Sequence, residues 1–296
     1  MTPHLHPNVE KLLELSDAER QQAILAEKWI PYTRAQVALT KMEALLQHPA
    51  SHRMPNLLLV GDTNNGKTAI LRRLSQAHPP VPLVEGDGRL QWPVLYIQAP
   101  PEPDEKRFYN IILDRVQAPY RMNDRVDKKQ LQVIHVLQHL GVKLLIVDEI
   151  QHVLAGNQTK QRQFLNVLKY LSNELMVPLV CAGIRTAFNA IQSDEQLANR
   201  FEPVSLPKWT VGDDYLRLLL SFERLLPLRE PSDLTDESIA LKLLSLSEGT
   251  IGEISKVLKL AAVLAISTKV EHITLAILRK IDYIAPSERM KFHKLT

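Results

Sequence analysis

Residues 61–68, Gly61-Asp62-Thr63-Asn64-Asn65-Gly66-Lys67-Thr68, follow the pattern G-x-x-x-x-G-K-[ST] without a mismatch. A loop of this kind wraps backbone N–H groups around a β-phosphate at the positive end of the helix that follows it. Lys67 would reach the β- and γ-oxygens, and the Thr68 hydroxyl would ligate Mg²⁺. The pattern arises by chance in a chain of this length roughly once in a hundred. A second signal is the run Leu144-Leu145-Ile146-Val147-Asp148-Glu149. It reads as a buried strand that delivers Asp148 to the carboxyl edge of a sheet, where open α/β folds bind ligands. By itself such a run is weak, because buried strands often end in acidic turn residues. About eighty residues after a phosphate loop it becomes specific. Asp148 would hold the Mg²⁺ shell, and Glu149 would polarise an attacking water. A carboxylate beside the metal aspartate suits hydrolysis, whereas a kinase must keep water from the γ-phosphate. The residues therefore point to ATP, Mg²⁺ and an ATPase. In a second use, Glu149 would couple nucleotide state to a partner with slow turnover.

Phosphoryl transfer also needs a cation near the γ-phosphate, often an arginine from a neighbouring subunit. Arg200, in Leu197-Ala198-Asn199-Arg200-Phe201, ends a helix just before the last strand and can face another protomer. A surface arginine paired with Glu195 or Glu202 is the alternative, and both readings stand. Arg185 is a second candidate, closer to the site of its own subunit.

The elements that must position these groups follow from the spacing of apolar residues. Asn56–Val60 enters the loop as a strand, and 68–74 leaves it with helical spacing. Further strands are predicted at Pro93–Gln98, Lys143–Asp148, Pro178–Ala182 and Pro203–Leu206, with helices near 104–117, 127–140 and 159–175 between them. Strand and helix in alternation predict an α/β fold with a parallel five-stranded sheet covered on both faces. Pro79–Pro93 reads as a surface excursion. Residues 1–50 read as a helical segment: Val9, Leu12, Leu13 and Leu15 form one stripe, Ser16-Asp17-Ala18-Glu19 a capping box, and Thr33 a cap on a third helix. Residues 51–207 form the nucleotide-binding domain. Helices near 210–226, 235–247, 251–267 and 271–282 make residues 208–285 a small all-helical domain, and 286–296 reads as a disordered basic tail.

Composition narrows the function classes. With 36 basic and 33 acidic residues the net charge is +3, too weak to announce a nucleic-acid binder although a local basic face can hide within it. Cys181 is the single cysteine and lies in an apolar run, so a disulfide within the chain is impossible and a buried, inert thiol is expected. No run approaches the roughly 18 apolar residues of a membrane span, and Met1–Pro7 has no apolar stretch. A soluble, cytoplasmic protein is expected.

The same residues resemble a known family. The strand order, the Asp-Glu pair and the helical second domain look like an AAA+ ATPase of the initiator-like branch. More narrowly, the chain resembles TniB and TnsC, the ATP-dependent regulators of DDE transposons. The likeness is carried by Arg53-Met54-Pro55-Asn56 running into the phosphate loop and by Asp148-Glu149-Ile150-Gln151-His152-Val153-Leu154-Ala155-Gly156, with Gln161-Arg162-Gln163 and Asn166-Val167-Leu168-Lys169 after it. Trp29-Ile30-Pro31-Tyr32-Thr33-Arg34-Ala35 is similar to the family segment that packs near the adenine. The likeness spans about residues 7–268 and implies an AAA+ three-layer sandwich with a helical lid. On that basis the nucleotide set is residues 61–68 with Ala69, Ile30, Tyr32 and Arg185. Two positions depart from the family. Gly183-Ile184 stands where relatives tend to show Gly-Thr, which shifts the sensor role to Arg185 or Thr186. Gly252, in Gly249-Thr250-Ile251-Gly252-Glu253, stands where a lid arginine is common. Both departures imply slow hydrolysis.

The resemblance further implies sequence-independent binding of duplex DNA, assembly as a homo-oligomeric ring or helical filament, and recruitment of a transposase with a TniQ-like adaptor. The family tends to touch DNA after the second strand. Lys106, Arg107, Arg121, Arg125, Lys128 and Lys129 stand there, mixed with Asp104, Glu105, Asp124 and Asp127, so a solvated helical face is an equal reading. No aromatic residues interleave to stack single-stranded bases. The competing classes are a small-molecule kinase or hydrolase, which the helical second domain and the missing acceptor motif disfavour, and a helicase-loader-like or signalling ATPase acting on proteins.

Overall fold

A computed structural model describes residues 3–82, 90–154, 158–192 and 194–292. Its main sheet has five parallel strands: β1 Asn56–Gly61, β2 Val94–Gln98, β3 Leu144–Asp148, β4 Leu179–Gly183 and β5 Phe201–Leu206. They lie in the order β2-β3-β4-β1-β5. β3 and β4 are buried at every position, as apolar runs covered on both faces must be. β5 alternates between buried and exposed residues. That pattern marks an edge strand, and it is where Pro203 is tolerated. The strands predicted from the sequence are all present, with ends moved by one or two residues.

The chain divides into two compact units. One comprises Val37–Thr63 and Lys67–Leu206 and contains the sheet. Its core joins Leu58, Leu95, Val147 and Cys181 of the strands to Phe108, Ile112, Leu137, Phe164 and Leu168 of the covering helices. Helices Glu105–Arg115, Val126–His139 and Gln158–Leu175 match the predicted ones. Helix Arg185–Gln192 was not predicted, and the helix expected to end at Arg200 is the short Glu195–Ala198, capped by Asp194. Cys181 is fully buried, and burial pushes its thiol up to about 12, so it is inert at neutral pH. In the excursion before β2, Val81–Pro82 pairs antiparallel with Leu90–Gln91, and residues 83–89 lie outside the described residues.

The other unit comprises Met1–Gln36, Asn64–Gly66 and Pro207–Thr296. Residues 1–50, read from the sequence as one segment, are thus divided within the helix Thr33–Leu46. Its core gathers Ile24, Trp209, Tyr215, Leu219, Ile254, Val257, Leu258 and Ile277. The Ser16–Glu19 capping box is present. The stripe from Val9 is a short helix followed by a 3₁₀ turn, and the third helix begins at Thr33 itself. The helix expected near 271–282 is only Leu275–Lys280, because Lys269 and Glu271 sit at φ of 59° and 61° and cannot continue a right-handed helix. The expected disordered tail is replaced by a helix at Pro286–Phe292, while His293 and Lys294 lie outside the described residues. Among the described residues no helix is long and apolar enough to cross a membrane.

Two charged clusters tie this unit together. Arg20 is fully buried. Its Nη1 donates to Glu271 Oε1 at 2.9 Å, its Nη2 donates to Glu271 Oε2, and both Nε and Nη2 donate to the Pro227 carbonyl. An N-terminal helix is thereby bound to the C-terminal helices. The second cluster centres on Glu253, which accepts from Arg289 Nη1 and Nη2 at 3.0 and 2.7 Å and from the Tyr283 hydroxyl at 2.6 Å. The Arg289 guanidinium, helped by Tyr283 and opposed by burial, holds the Glu253 carboxyl at about 2.

Arg20→Ala leaves Glu271 without its main partner, and should lower unfolding free energy by about 3 kcal/mol in a denaturant titration, the usual cost of breaking a buried pair. A loss below about 1 kcal/mol would show that the cluster is not a staple. For Glu253 the folded-state value is depressed. Its stabilisation is therefore present above the unfolded value of about 4.5 and is lost as pH falls toward about 2. The melting-temperature difference between the native chain and Arg289→Ala should be constant above about pH 5 and shrink through that window. A difference that does not change with pH would refute the assignment.

Candidate functional site

The chemistry gathers at the carboxyl edge of the sheet. β4 pairs with both β1 and β3, placing Val60 opposite Gly183 and Val147 opposite Cys181. The ends of β1 and β3, distant in sequence, thereby emerge at one level. Beyond β1 the loop turns through left-handed residues at Asn64 (φ 60°) and Gly66 (φ 85°), the kind of curl that turns successive N–H groups toward one concavity. Helix Lys67–Ala77 starts directly after it.

Lys67 is buried at 5% exposure, and its Nζ donates to the carbonyls of Gly61 and Asp62, both at 2.8 Å. Burial lowers its pKa, opposed by the nearby carboxylates of Glu149, Asp148 and Asp62. Two of its three donors are spent on the loop, so one is left for an anion. The Thr68 hydroxyl donates to Asp148 Oδ2 at 2.7 Å, and Asp148 is 1% exposed. The Tyr96 hydroxyl donates to the same oxygen at 2.9 Å, and the Glu149 N–H donates to Oδ1 at 2.8 Å. Burial, then Asp148, pushes the Tyr96 hydroxyl up to about 12, so it stays a donor. Asp62, Thr63 and Ala69 are exposed.

Glu149 follows at φ 56°. Its carboxylate accepts from Gln151 Nε2 and lies 4.0 Å from His152 Nε2. Arg185 begins a helix just beyond β4, at the same edge of the sheet, and is exposed, as is Thr186, whereas Ile184 is half-buried. Arg200 lies elsewhere. It precedes β5, which runs parallel to β1 with Phe201 opposite Asn56, so Arg200 is at the far end of the sheet from the loop. A strand of that length separates it from its own phosphate loop by roughly 17 Å, beyond the reach of an arginine. Its Nη1 donates to Asn173 Oδ1 at 2.9 Å, and Glu202 pairs instead with Lys41. The alternative of an Arg200–Glu202 pair is therefore not realised.

In the helical unit, Gly252 N–H donates to the Asn64 carbonyl at 3.0 Å, and Asn64 Nδ2 donates to Glu253 at 3.1 Å. A Cβ on Gly252 would stand 1.9 Å from Asn64 Oδ1. A side chain there would have to displace that of Asn64, which its bond to Glu253 holds in place. Ile30 and Tyr32 pack on the core of this unit, with Tyr32 edge-on to Trp209 at 5.4 Å. Burial pushes the Tyr32 hydroxyl up to about 12. Arg34 stacks over Trp209 at 5.3 Å, and its Nη1 is buried with no hydrogen-bond partner.

The basic segment after β2 is less open than its composition suggests. Lys129 is fully buried, donating to Asn110 Oδ1 at 2.7 Å and to the Arg121 carbonyl at 2.8 Å, with Nζ 4.2 Å from the centre of the Tyr120 ring. The expectation that it faces DNA is corrected, because its helical position points inward. Lys128 pairs with Asp124 and Arg125 with Asp127, at 2.9 and 3.0 Å. Arg107 and Arg121 are exposed and Lys106 half-exposed, without an ion pair among the described residues.

Sequence reasoning missed Tyr96, Gln151 and Arg34 as members of these clusters. Tyr96 had a usable signal, since a strand residue two before the β2 end can project toward the neighbouring β3 aspartate. Gln151 and Arg34 stand in the segments that carry the family resemblance, but their partners were not readable, because long side chains choose partners only once the fold exists. The donor set fits a magnesium nucleotide. A hydroxyl and one carboxylate are the usual protein share of an Mg²⁺ site that relies on phosphate oxygens, and no group of three His, Cys, Asp or Glu that could hold a metal gathers among the described residues.

Comparison with solved structures matches this fold to ORC and Cdc6 proteins. The Aeropyrum pernix ORC1 protein in complex with DNA is 20% identical, with a TM-score of 0.60 over 92% of this chain and 69% of that one. The A. pernix ORC2 protein in its ADPNP-ADP complexes gives 15% and 0.58, over 87% and 70%. Cdc6p from Pyrobaculum aerophilum gives 15% and 0.60, over 88% and 68%. The fold is thus the AAA+ sandwich with a helical C-terminal region. No significant match is found among curated protein sequences. The model of the family described as bacterial TniB protein matches residues 20–211, more than half of the chain. The chain belongs to the TniB family.

Proposed function

We propose that this chain is an ATP-dependent regulator of DNA transposition, which assembles on target duplex DNA and recruits or activates a DDE transposase, with hydrolysis timing its release. The observation that carries the reading is the Thr68–Asp148 contact beside a buried Lys67, in a chain of the TniB family. Residues 61–69 would bind the phosphates, with Thr68 and Asp148 holding Mg²⁺ and Ile30 and Tyr32 packing near the base. Bound Mg-ATP supplies the anhydride bond to be broken and the metal charge that neutralises it. The protein's own share is positional. The free Lys67 donor meets the phosphate oxygens, the Asp148 carboxylate is held by three donors, and Glu149 takes the proton of water. With Ile184 and Gly252 at the sensor positions, turnover is slow, as suits a timer. Arg185 stands at the same edge of the sheet as a cation for the γ-phosphate.

Arg200 is out of reach of its own loop, which supports a role in trans within a homo-oligomeric ring or filament. The DNA-bound A. pernix ORC1 neighbour supports duplex DNA as partner, contacted through Lys106, Arg107 and Arg121, with Arg125 and Lys128 released from their acidic neighbours. A transposase and a TniQ-like adaptor complete the assembly, in the cytoplasm. The ion pairing of Arg125 and Lys128 and the burial of Lys129 favour a second reading, a helicase-loader-like or signalling ATPase with protein partners only.

Two measurements test the proposal. In a filter or electrophoretic assay at low salt, plasmid DNA should be retained with ATP or a non-hydrolysable analogue and lost without nucleotide. Equal retention in both conditions sinks the DNA-assembly reading, and no retention in either favours protein partners. Arg200→Ala should lower turnover of DNA-assembled protein by about 10³-fold, the usual worth of an arginine finger, with nucleotide affinity of the monomer nearly unchanged. Weakened monomer affinity would contradict the trans assignment.

A further inference from the structure

Gln151 sits three residues after Asp148, in the short helix Gln151–Leu154, and three observations single it out. Its Nε2 donates to the same Glu149 oxygen that faces His152. Its Oε1 is buried and accepts no hydrogen bond. A Cβ on Gly183 would stand 3.0 Å from that Oε1, 2.9 Å from Ile150 Cγ2 and 2.8 Å from Ala187 Cβ. The amide orientation is fixed by chemistry, since only its nitrogen can face a carboxylate. The orphaned oxygen is then the cost of holding that orientation, because turning the amide over would satisfy Oε1 no better and would set two oxygens against each other. The small residue at the end of β4 leaves the space that the amide fills.

Glu149 needs such a hold. Its backbone is left-handed, it stands outside the β3 ladder, and the charged or titratable groups that face it are Lys67, Asp148 and His152. Lys67 attracts the carboxylate toward the phosphate loop, Asp148 repels it, and His152 at 4.0 Å is beyond hydrogen-bond length. Gln151 alone donates a side-chain hydrogen bond to it among the described residues.

We propose that Gln151 is the positioning residue for Glu149: its amide engages one carboxylate oxygen and leaves the other aimed at water, and Gly183 is small so that the amide can sit there. This rests on the hydrolysis reading above and extends it.

The test uses the full chain with duplex DNA, reading steady-state MgATP turnover, binding of a fluorescent ATP analogue and melting temperature. Gln151→Ala and Gln151→Met, the latter close to the native side chain in length and volume but uncharged and lacking the donor, should each lower kcat about 10- to 100-fold. Analogue affinity should stay within about twofold, and the melting temperature of Gln151→Met within about 2 °C of the native protein. In a Glu149→Gln background neither change should lower the residual rate further, because Gln151 acts only through that carboxylate. An undiminished kcat, an equal loss in both backgrounds, or a loss that follows analogue affinity would each overturn the proposal. A native chain that binds the analogue but never turns ATP over refutes the hydrolysis reading itself, an outcome distinct from normal turnover in the Gln151 variants.

Discussion

The short bond from the Thr68 hydroxyl to the Asp148 carboxylate depends on one strand placed between two others. β4 carries no phosphate-binding residue, yet by pairing with β1 on one side and β3 on the other it sets the level at which both end. A slip of one residue in either pairing would turn every side chain of that strand to the opposite face. Complete burial of β3 and β4 forbids such a slip, since it would push their neighbours out of a packed core. The apolar runs are thus what hold two polar groups within hydrogen-bond distance.

The carboxyl edge that results is polar, with its two central charges buried. Lys67 and Asp148 are both nearly inaccessible, and each is supplied with partners from its own unit: carbonyls for the ammonium, and the Thr68 and Tyr96 hydroxyls with the Glu149 N–H for the carboxylate. Buried charges are tolerable only under such conditions. A cradle satisfied in advance needs little reorganisation when a phosphate arrives.

The helical unit solves a different problem. Its N-terminal and C-terminal segments are remote in sequence and share one core, closed by Arg20 on Glu271 and, at the last helix, by Arg289 on Glu253. Glu253 also bonds Asn64, so the residue next to the atypical Gly252 belongs to a hydrogen-bonded network rather than to a bare surface. Gly252 itself is matched to how closely the Asn64 side chain approaches.

Much of this was legible in the chain alone. The phosphate loop is a local pattern whose backbone conformation its glycines and asparagine impose, and the strands are apolar runs too short for helices. Alternating strands and helices then admit little besides a parallel sheet. What could not be read depends on side chains meeting across distances that sequence does not measure. Lys129 looks like its neighbour Lys128, yet one residue of helical phase carries it into the core beside Asn110 and Tyr120. Arg200 looks free to reach any phosphate until the direction of β5 sets it at the far end of the sheet. Gln151 is an ordinary polar residue until β4 ends beside it in a glycine. Sequence determined which backbone elements form, because that is decided by local conformational cost and apolar periodicity. Tertiary structure decided which polar groups are partners, because a hydrogen bond depends on distances of tenths of an ångström that only packing fixes.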